Sequence, residues 1–142
     1  MTYVQDLSAV AQFQAVIADP EMPALVDFWA DWCAPCKAMA PVLERLGREY
    51  DGRIVVAKLN VDEFPAIRNR HGVQSIPTLM LFKGGKPAMR LSGFQSEAAL
   101  RPYLERHALP ERLPEPPPVP RSQEERATGG GFRAGLKRLL GG

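Results

Sequence analysis

The chain contains only two cysteines, Cys33 and Cys36, and they are separated by Ala34 and Pro35. An apolar run precedes the pair and an apolar stripe at helical spacing follows it, so the pair is expected where a strand passes into a helix. At a helix N-terminus, the helix dipole and the free backbone amides favour a thiolate on the first cysteine. We therefore expect Cys33 to be an exposed nucleophile that attacks disulfides. Cys36, one turn into the helix and more buried, is expected to resolve the mixed disulfide.

A metal site is the alternative interpretation of the cysteine pair. A structural zinc site needs about four ligands, usually two cysteine pairs or cysteines together with histidines. The two histidines, His71 and His107, fall at the ends of other predicted helices and have no ligand spacing to Cys33. The sequence therefore favours redox chemistry over metal binding. We expect no metal and no bound cofactor besides the redox-active disulfide itself.

A carboxylate, Asp27, stands in the middle of the apolar run that precedes the cysteines. If its side chain is buried, desolvation raises its pKa and suits it to act as general base and acid for Cys36. The other interpretation is an Asp27 that points outward at a strand edge, and the sequence leaves both open. Lys58, in the next predicted strand, is either a partner that lowers the pKa of Asp27 again or a surface lysine with its ammonium in water.

The elements that must position these residues follow from hydrophobic periodicity. In chain order, the pattern predicts an N-terminal edge strand, a helix capped by Ser8 and ended by Asp19, a strand at 24–30, and a helix at 36–50 that is kinked at Pro41. It then predicts a strand at 54–61, a helix at 65–71, and a hairpin of 78–83 and 88–92. The last element is a helix at 96–107 whose Ala99, Leu100, Tyr103 and Leu104 face inward. Strands that alternate with helices indicate an α/β domain, and the hairpin makes its sheet mixed. Pro77 directly precedes the strand at 78–83, and the sequence leaves its peptide bond cis or trans.

The composition changes near residue 108. We predict a domain at 1–108, a Pro- and Gly-rich, largely disordered linker at 109–131 and a short basic amphipathic segment at 132–142. Acidic and basic residues balance over 1–107, so the formal net charge of +2 comes from the C-terminal part. A net charge this small argues against nucleic-acid binding. The last segment is too short for a stable helix alone. It fits weak contact with an anionic membrane or a partner's groove, or a functionless extension.

The start of the chain has no basic segment followed by an apolar stretch, as a secretory signal would have. No apolar run approaches the roughly 18 residues that cross a bilayer. We therefore expect a cytoplasmic protein. We also expect the protein to be a monomer. In a reducing cytosol, a close cysteine pair is more often catalytic or metal-binding than structural.

Taken together, these residues resemble the thioredoxin family over about residues 1–107. The matching segments occur in the family's order and spacing, and they are residues 26–37, Pro41, 56–62, 76–78, 82–85 and Gly93. A Cys-x-x-Cys pair alone would be a weak signal, whereas this combination is specific. The resemblance implies a thioredoxin fold, in which a mixed five-stranded sheet is flanked by four helices.

The resemblance also implies a role for each site residue. Cys33 attacks and Cys36 resolves, Asp27 matches the family's buried acid with Lys58 near it, and Pro77 matches a cis-proline beside the disulfide. The flat apolar patch that binds substrates would comprise Trp32, Ala34, Pro35, Ile76 and Gly93, with Phe94 beside it. The resemblance further implies that electrons come from NADPH through a flavin-dependent thioredoxin reductase.

The function we expect is that of a protein disulfide reductase, which transports electrons to disulfide-bearing client proteins and serves cell redox homeostasis. Pro35, rather than His, leaves no imidazolium beside the Cys33 thiolate, which disfavours a strong oxidant. Ala34 stands where the family most often has Gly, and Phe94 adds a large ring beside Gly93, so both departures bear on substrate choice. The alternative function is a redox or binding module that its C-terminal segment targets to one partner or to a membrane surface.

Overall fold

The computed structural model describes residues 2–111 and Pro118. Its elements follow the predicted order and are β1 (Val4–Asp6), α1 (Val10–Ala18), β2 (Ala24–Trp29), α2 (Ala34–Glu49), β3 (Val55–Asn60), α3 (Pro65–Arg70), β4 (Thr78–Lys83), β5 (Lys86–Ser92) and α4 (Glu97–His107). Apart from 109–111 and Pro118, the predicted linker lies outside the described residues. The predicted amphipathic segment at 132–142 lies outside them entirely.

The five strands form one mixed sheet in the order β1-β3-β2-β4-β5. Strands β1 and β2 each pair in parallel with β3, whereas β4 is antiparallel to β2 and β5 is antiparallel to β4. The prediction of a mixed five-stranded sheet with four helices is therefore confirmed. Because β2 and β3 run in parallel, their carboxyl ends meet at the same edge of the sheet, where the cysteine pair follows β2.

Side chains that alternate along the central strands divide the core into two clusters, one on each face of the sheet. One face of β2 carries Leu25, which packs in a cluster with residues of α2 and α4. The other face carries Val26 and Phe28, which pack with residues of α1 and α3. By this alternation, Asp27 lies on the face that α2 covers. The helix that begins at the cysteine pair therefore also encloses this carboxylate.

Two local predictions are wrong. Ser8 does not cap α1, whose N-cap is Ala9 without a side-chain bond, because the Gln12 side chain accepts hydrogen bonds from both the Ser8 amide and its hydroxyl. On α4, Leu100 and Leu104 are buried as predicted, whereas Ala99 and Tyr103 are exposed. Both pairs have helical spacing, but only one stripe faces the core, and the neighbouring stripe is turned about 100° away from it.

Pro41 lies inside α2 without ending the helix, which begins two residues earlier than predicted. Strand β5 likewise begins earlier, at Lys86, and an irregularity in its pairing with β4 falls between Leu81 and Phe82, where Pro87 enters the ladder. In the part of the chain that the structure describes, no helix combines the length and the apolar character needed to cross a membrane.

Candidate active site

The cysteine pair lies where β2 passes into α2. Cys33 is the N-cap of α2 and forms a disulfide with Cys36, with 5.2 Å between the two Cα atoms. The helix starts here because Pro35, in its first turn, has a fixed φ and needs no amide partner. The Cys36 amide donates a hydrogen bond to Cys33 Sγ over 3.3 Å. This amide stabilises negative charge on Cys33 when the disulfide is reduced.

The two sulfurs differ in surroundings rather than in exposure. Cys33 is 5% exposed and Cys36 is 3% exposed, so the expectation of an exposed Cys33 is wrong for the disulfide form. The Ile76 backbone lies close to Cys33, with 3.7 Å between Cys33 Sγ and Ile76 O. Cys36, by contrast, lines a partly open cavity that it shares with Asp27. The two cysteines therefore have different neighbours, the Ile76 backbone beside Cys33 and the Asp27 cavity beside Cys36.

An apolar patch surrounds the Cys33 side of the disulfide. Trp32 is 67% exposed and Phe94 is 50% exposed, although large apolar side chains are usually buried. Ala34 and Pro35 are also exposed, and Ile76 is half-buried. The structure thus exposes a group of apolar residues beside a reactive bond, which is typical of a binding surface.

The loops that carry the patch are held by backbone contacts. The peptide bond between Ile76 and Pro77 is cis, and Pro77 itself is buried. Pro77 O accepts a hydrogen bond of 2.8 Å from the amide of Gly93, whose φ of 86° is readily adopted only by glycine. Phe94 follows directly, so its ring is placed by this contact between the two loops.

Sequence reasoning missed the residues that hold Trp32. The Trp32 indole Nε1 donates a hydrogen bond of 2.9 Å to Asp62, just beyond the end of β3. Asn60 accepts a bond from the Asp62 amide and donates one to Asp31, over 2.9 and 3.3 Å. Because parallel strands β2 and β3 end at one sheet edge, the polar residues that follow each strand were the available signal.

Asp27 is buried, which decides between its two interpretations. Only 2% of the residue is exposed, and Oδ1 has no hydrogen-bond partner within the described residues. Desolvation raises the pKa of Asp27 to about 7, and the positive charge of Lys58 opposes that rise. A carboxyl group with such a pKa exchanges protons near neutral pH.

Asp27 and Cys36 line the same cavity of about 410 Å³. The other residues around it are Thr2, Val4, Asp6, Trp29, Lys37, Ala40, Leu43, Glu44 and Lys58. The structure therefore brings together Cys36, Asp27 and Lys58, which the sequence places on two strands and a helix. The patch residues lie apart from this cavity, since none of them lines it. Among residues 2–111 and Pro118, no three His, Cys, Asp or Glu side chains are arranged to hold a metal ion.

Comparison with known proteins bears on this site directly. The family model described as thioredoxin matches residues 5–106, which include both cysteines, Asp27, Lys58 and Pro77. The chain belongs to the thioredoxin family. Thioredoxin 1 of Nostoc sp. is 42% identical over 106 residues, which cover 71% of this chain and 99% of that protein. The thioredoxin of Alicyclobacillus acidocaldarius is 50% identical over 94 residues, covering 66% of this chain and 89% of the relative.

Solved thioredoxin structures agree with this assignment. A mutant thioredoxin from Halobacterium salinarum aligns with a TM-score of 0.68 at 35% identity, covering 78% of this chain and 94% of that chain. Membership of the family and the Cys33–Cys36 disulfide make the chain a thiol–disulfide oxidoreductase that needs no bound cofactor. The family further implies thioredoxin reductase and disulfide-bearing client proteins as partners. The alternative of a module targeted through the C-terminal segment is not favoured.

Proposed function

We propose that the chain reduces disulfides in client proteins, with Cys33 as the attacking and Cys36 as the resolving sulfur. The observation that carries this proposal is the difference in surroundings between the two sulfurs. Cys33 Sγ lies beside Ile76 O at the apolar patch, where a client would dock, whereas Cys36 faces the cavity of Asp27. A symmetric dithiol would offer no such division of roles.

In the first step, the Cys33 thiolate attacks one sulfur of the client disulfide. The client S–S bond breaks, a mixed disulfide with Cys33 forms, and the departing client thiolate takes a proton from solvent. The helix N-terminus and the Cys36 amide stabilise the attacking thiolate. The apolar patch supplies the docking surface, with Trp32, Ala34, Pro35, Ile76, Gly93 and Phe94 as its substrate-binding residues. Pro77 holds the loop at which an extended client segment pairs with the Ile76 backbone.

In the second step, Cys36 gives its proton to Asp27 and attacks Cys33 Sγ. The mixed disulfide breaks, the second client thiolate leaves and is protonated, and the Cys33–Cys36 disulfide forms. The client thereby gains two electrons and two protons. An ordinary cysteine thiol has a pKa of about 8.5, so a carboxylate with a pKa of about 7 is matched to receive its proton. Lys58 tunes this carboxylate through its charge.

The oxidised pair must then be reduced again. We assign this step to a flavin-dependent thioredoxin reductase that draws electrons from NADPH, so that the chain works in electron transport within the cytoplasm. A monomer suffices for the chemistry, because both cysteines belong to one intramolecular disulfide. Reduction of the purified chain by thioredoxin reductase and NADPH, followed by absorbance at 340 nm, tests the electron source. Fractionation of cells tests the location.

Trapping with Cys36→Ser tests the division of roles. This variant should hold clients on Cys33 as mixed disulfides that a reducing agent releases, since no second thiol resolves them. Cys33→Ser is the matched control and should trap little, because Cys36 is buried in the first turn of α2 and lines the Asp27 cavity rather than the apolar patch. Trapping that is equal in the two variants would refute the assignment of attacking and resolving sulfurs.

The reduction potential tests the direction of the reaction. We expect a value near the −270 mV that is characteristic of thioredoxin, because no histidine in the motif stabilises the reduced state. Equilibration with glutathione buffers of graded ratio measures it. A potential as high as about −150 mV would instead make the chain an oxidant.

A further inference from the structure

Three charged residues form one row across the sheet. The register pairs Lys58 of β3 with Asp6 of β1 on one side and with Asp27 of β2 on the other. Neighbouring strands lie about 4.8 Å apart, and residues in register on parallel strands point to the same face. The Lys58 ammonium therefore has two carboxylates within its reach, an exposed one at the sheet edge and a buried one in the interior.

The ammonium is held toward the edge. Lys58 Nζ lies 3.8 Å from Asp6 Oδ1 and 4.6 Å from the centre of the Trp29 ring, over which it stacks. On the other side of the row, Asp27 Oδ1 has no hydrogen-bond partner in the described part of the chain. Asp6 and Trp29 thus compete with Asp27 for the same cation, and the structure shows them occupying it.

None of the other charged groups around the cavity forms an ion pair with Lys58 within the described residues. Helix α2 contributes Lys37 and Glu44, besides Cys36. Glu44 is engaged at the N-terminal end of β1, where its carboxylate accepts bonds of 2.7 and 2.8 Å from the Thr2 hydroxyl and the Tyr3 amide. Strand β4 places the uncharged Leu79 beside Asp27. Asp6 is therefore the carboxylate paired with Lys58 within the described residues.

We propose that Asp6 is a positioning residue of the exchange reaction, which holds the Lys58 ammonium at the outer end of the cavity and leaves Asp27 free to accept and release the Cys36 proton. This role rests on the acid–base function proposed above for Asp27. A fixed ion pair with Lys58 would stabilise the Asp27 carboxylate and make it a weaker base. The pair with Asp6 keeps the Lys58 charge near enough to limit the rise in the pKa of Asp27. It also holds the Lys58 ammonium too far from Asp27 for the two to form an ion pair.

The experiment combines Asp6→Asn, Lys58→Met and the double variant, with Asp51→Asn as a control. Asp51 is exposed and does not line the cavity, so its replacement removes one surface charge without touching the row. Titration of the Asp27 carboxyl by carbon NMR in the oxidised protein gives its midpoint directly. The pH profile of mixed-disulfide resolution, measured by stopped flow, gives the kinetic counterpart.

If Asp6 positions Lys58, Asp6→Asn lowers the Asp27 midpoint by about one pH unit, because the released ammonium moves toward Asp27. Lys58→Met raises the midpoint, and Asp6→Asn then changes it by much less in the Lys58→Met background. Asp51→Asn leaves it unchanged. The pH profile of resolution follows each of these shifts.

Two outcomes would overturn the proposal in different ways. An equal shift on Asp6→Asn with and without Lys58, or no shift at all, would show that Asp6 does not act through Lys58, and the acid–base role of Asp27 would stand. An NMR midpoint that moves as expected while the kinetic profile stays fixed would remove Asp27 from the reaction. The second result would end the role of Asp6 in exchange as well.

Discussion

Replacement of Asp27 by Asn should stabilise the oxidised protein, and the gain should grow with pH. Asp27 is buried, and its pKa is about 7 in the folded chain against 3.8 for an ordinary Asp. Between these values the folded state keeps a proton that the unfolded state releases, so the free energy of unfolding falls as pH rises through this window and levels off above about pH 7. Each pH unit corresponds to about 1.36 kcal/mol, so the whole window amounts to roughly 4 kcal/mol. Asn cannot ionise and avoids this loss.

Urea unfolding of the parent and of Asp27→Asn at pH 5 and pH 8.5 measures the effect. The part of this window between pH 5 and about pH 7 lies between the two conditions, so the stability gap between variant and parent should widen by roughly 3 kcal/mol. Comparison of two pH values cancels the constant difference between an amide and a protonated carboxyl group. Asp51→Asn, a surface replacement, should show no such widening. A gap for Asp27→Asn that is the same at both pH values would refute the burial argument.

Three further substitutions test the surroundings of the site. Phe94→Ala should lower kcat/KM roughly two- to tenfold for clients with apolar residues beside the disulfide, because half of the ring is available for contact. The loss should be smaller for polar clients, and equal losses on both client types would contradict this role. Asp62→Ala should lower kcat/KM for insulin reduction roughly two- to tenfold, because the Trp32 indole loses the hydrogen bond that holds it. An unchanged value would show that the bond between Trp32 and Asp62 does not order the patch. Gly47→Ala should destabilise the fold by about 1–3 kcal/mol in urea unfolding, since the new Cβ would lie 2.7 Å from the backbone oxygen of Tyr3. An alanine variant as stable as the parent would contradict this close approach.

The central elements were predictable because their sequence patterns are strong. The apolar run of β2 and the apolar stripe of α2 placed Cys33 and Cys36 at a strand-to-helix junction, and two short strand patterns predicted the hairpin of β4 and β5. The burial of Asp27 was not decided by its neighbours. A strand that is covered on both faces shows no alternation of apolar and polar residues, so its sequence does not indicate which way a given side chain points. Both orientations of the Asp27 carboxylate therefore fit the same apolar run.

Features that depend on register or on competing side chains were beyond the sequence. Strand β1 has only three residues, which is too few for a pattern, so nothing placed Asp6 beside Lys58 before the strand pairing was known. The Ser8 cap was wrong because the Ser8 amide and hydroxyl donate to the Gln12 side chain and the N-cap is the next residue, Ala9. The exposure of Cys33 was wrong because contacts distant in the chain, such as the one with Ile76, are invisible to local reasoning.

The strand order explains why an unfavourable carboxyl group is kept at this position. An apolar side chain would fill the place of Asp27 without the loss of stability that develops between pH 3.8 and about pH 7, so stability alone does not account for the aspartate. The mechanism proposed above does account for it, because in that mechanism the two sulfurs need opposite conditions. Cys33 must be a thiolate when a client arrives, whereas Cys36 must keep its proton until the mixed disulfide has formed. A group that takes the second proton has to reach Cys36 from the side away from the client. With β3 between β1 and β2, the sheet places Asp27 and Lys58 on the cavity that Cys36 lines, where the proposed mechanism needs its base and its tuning cation.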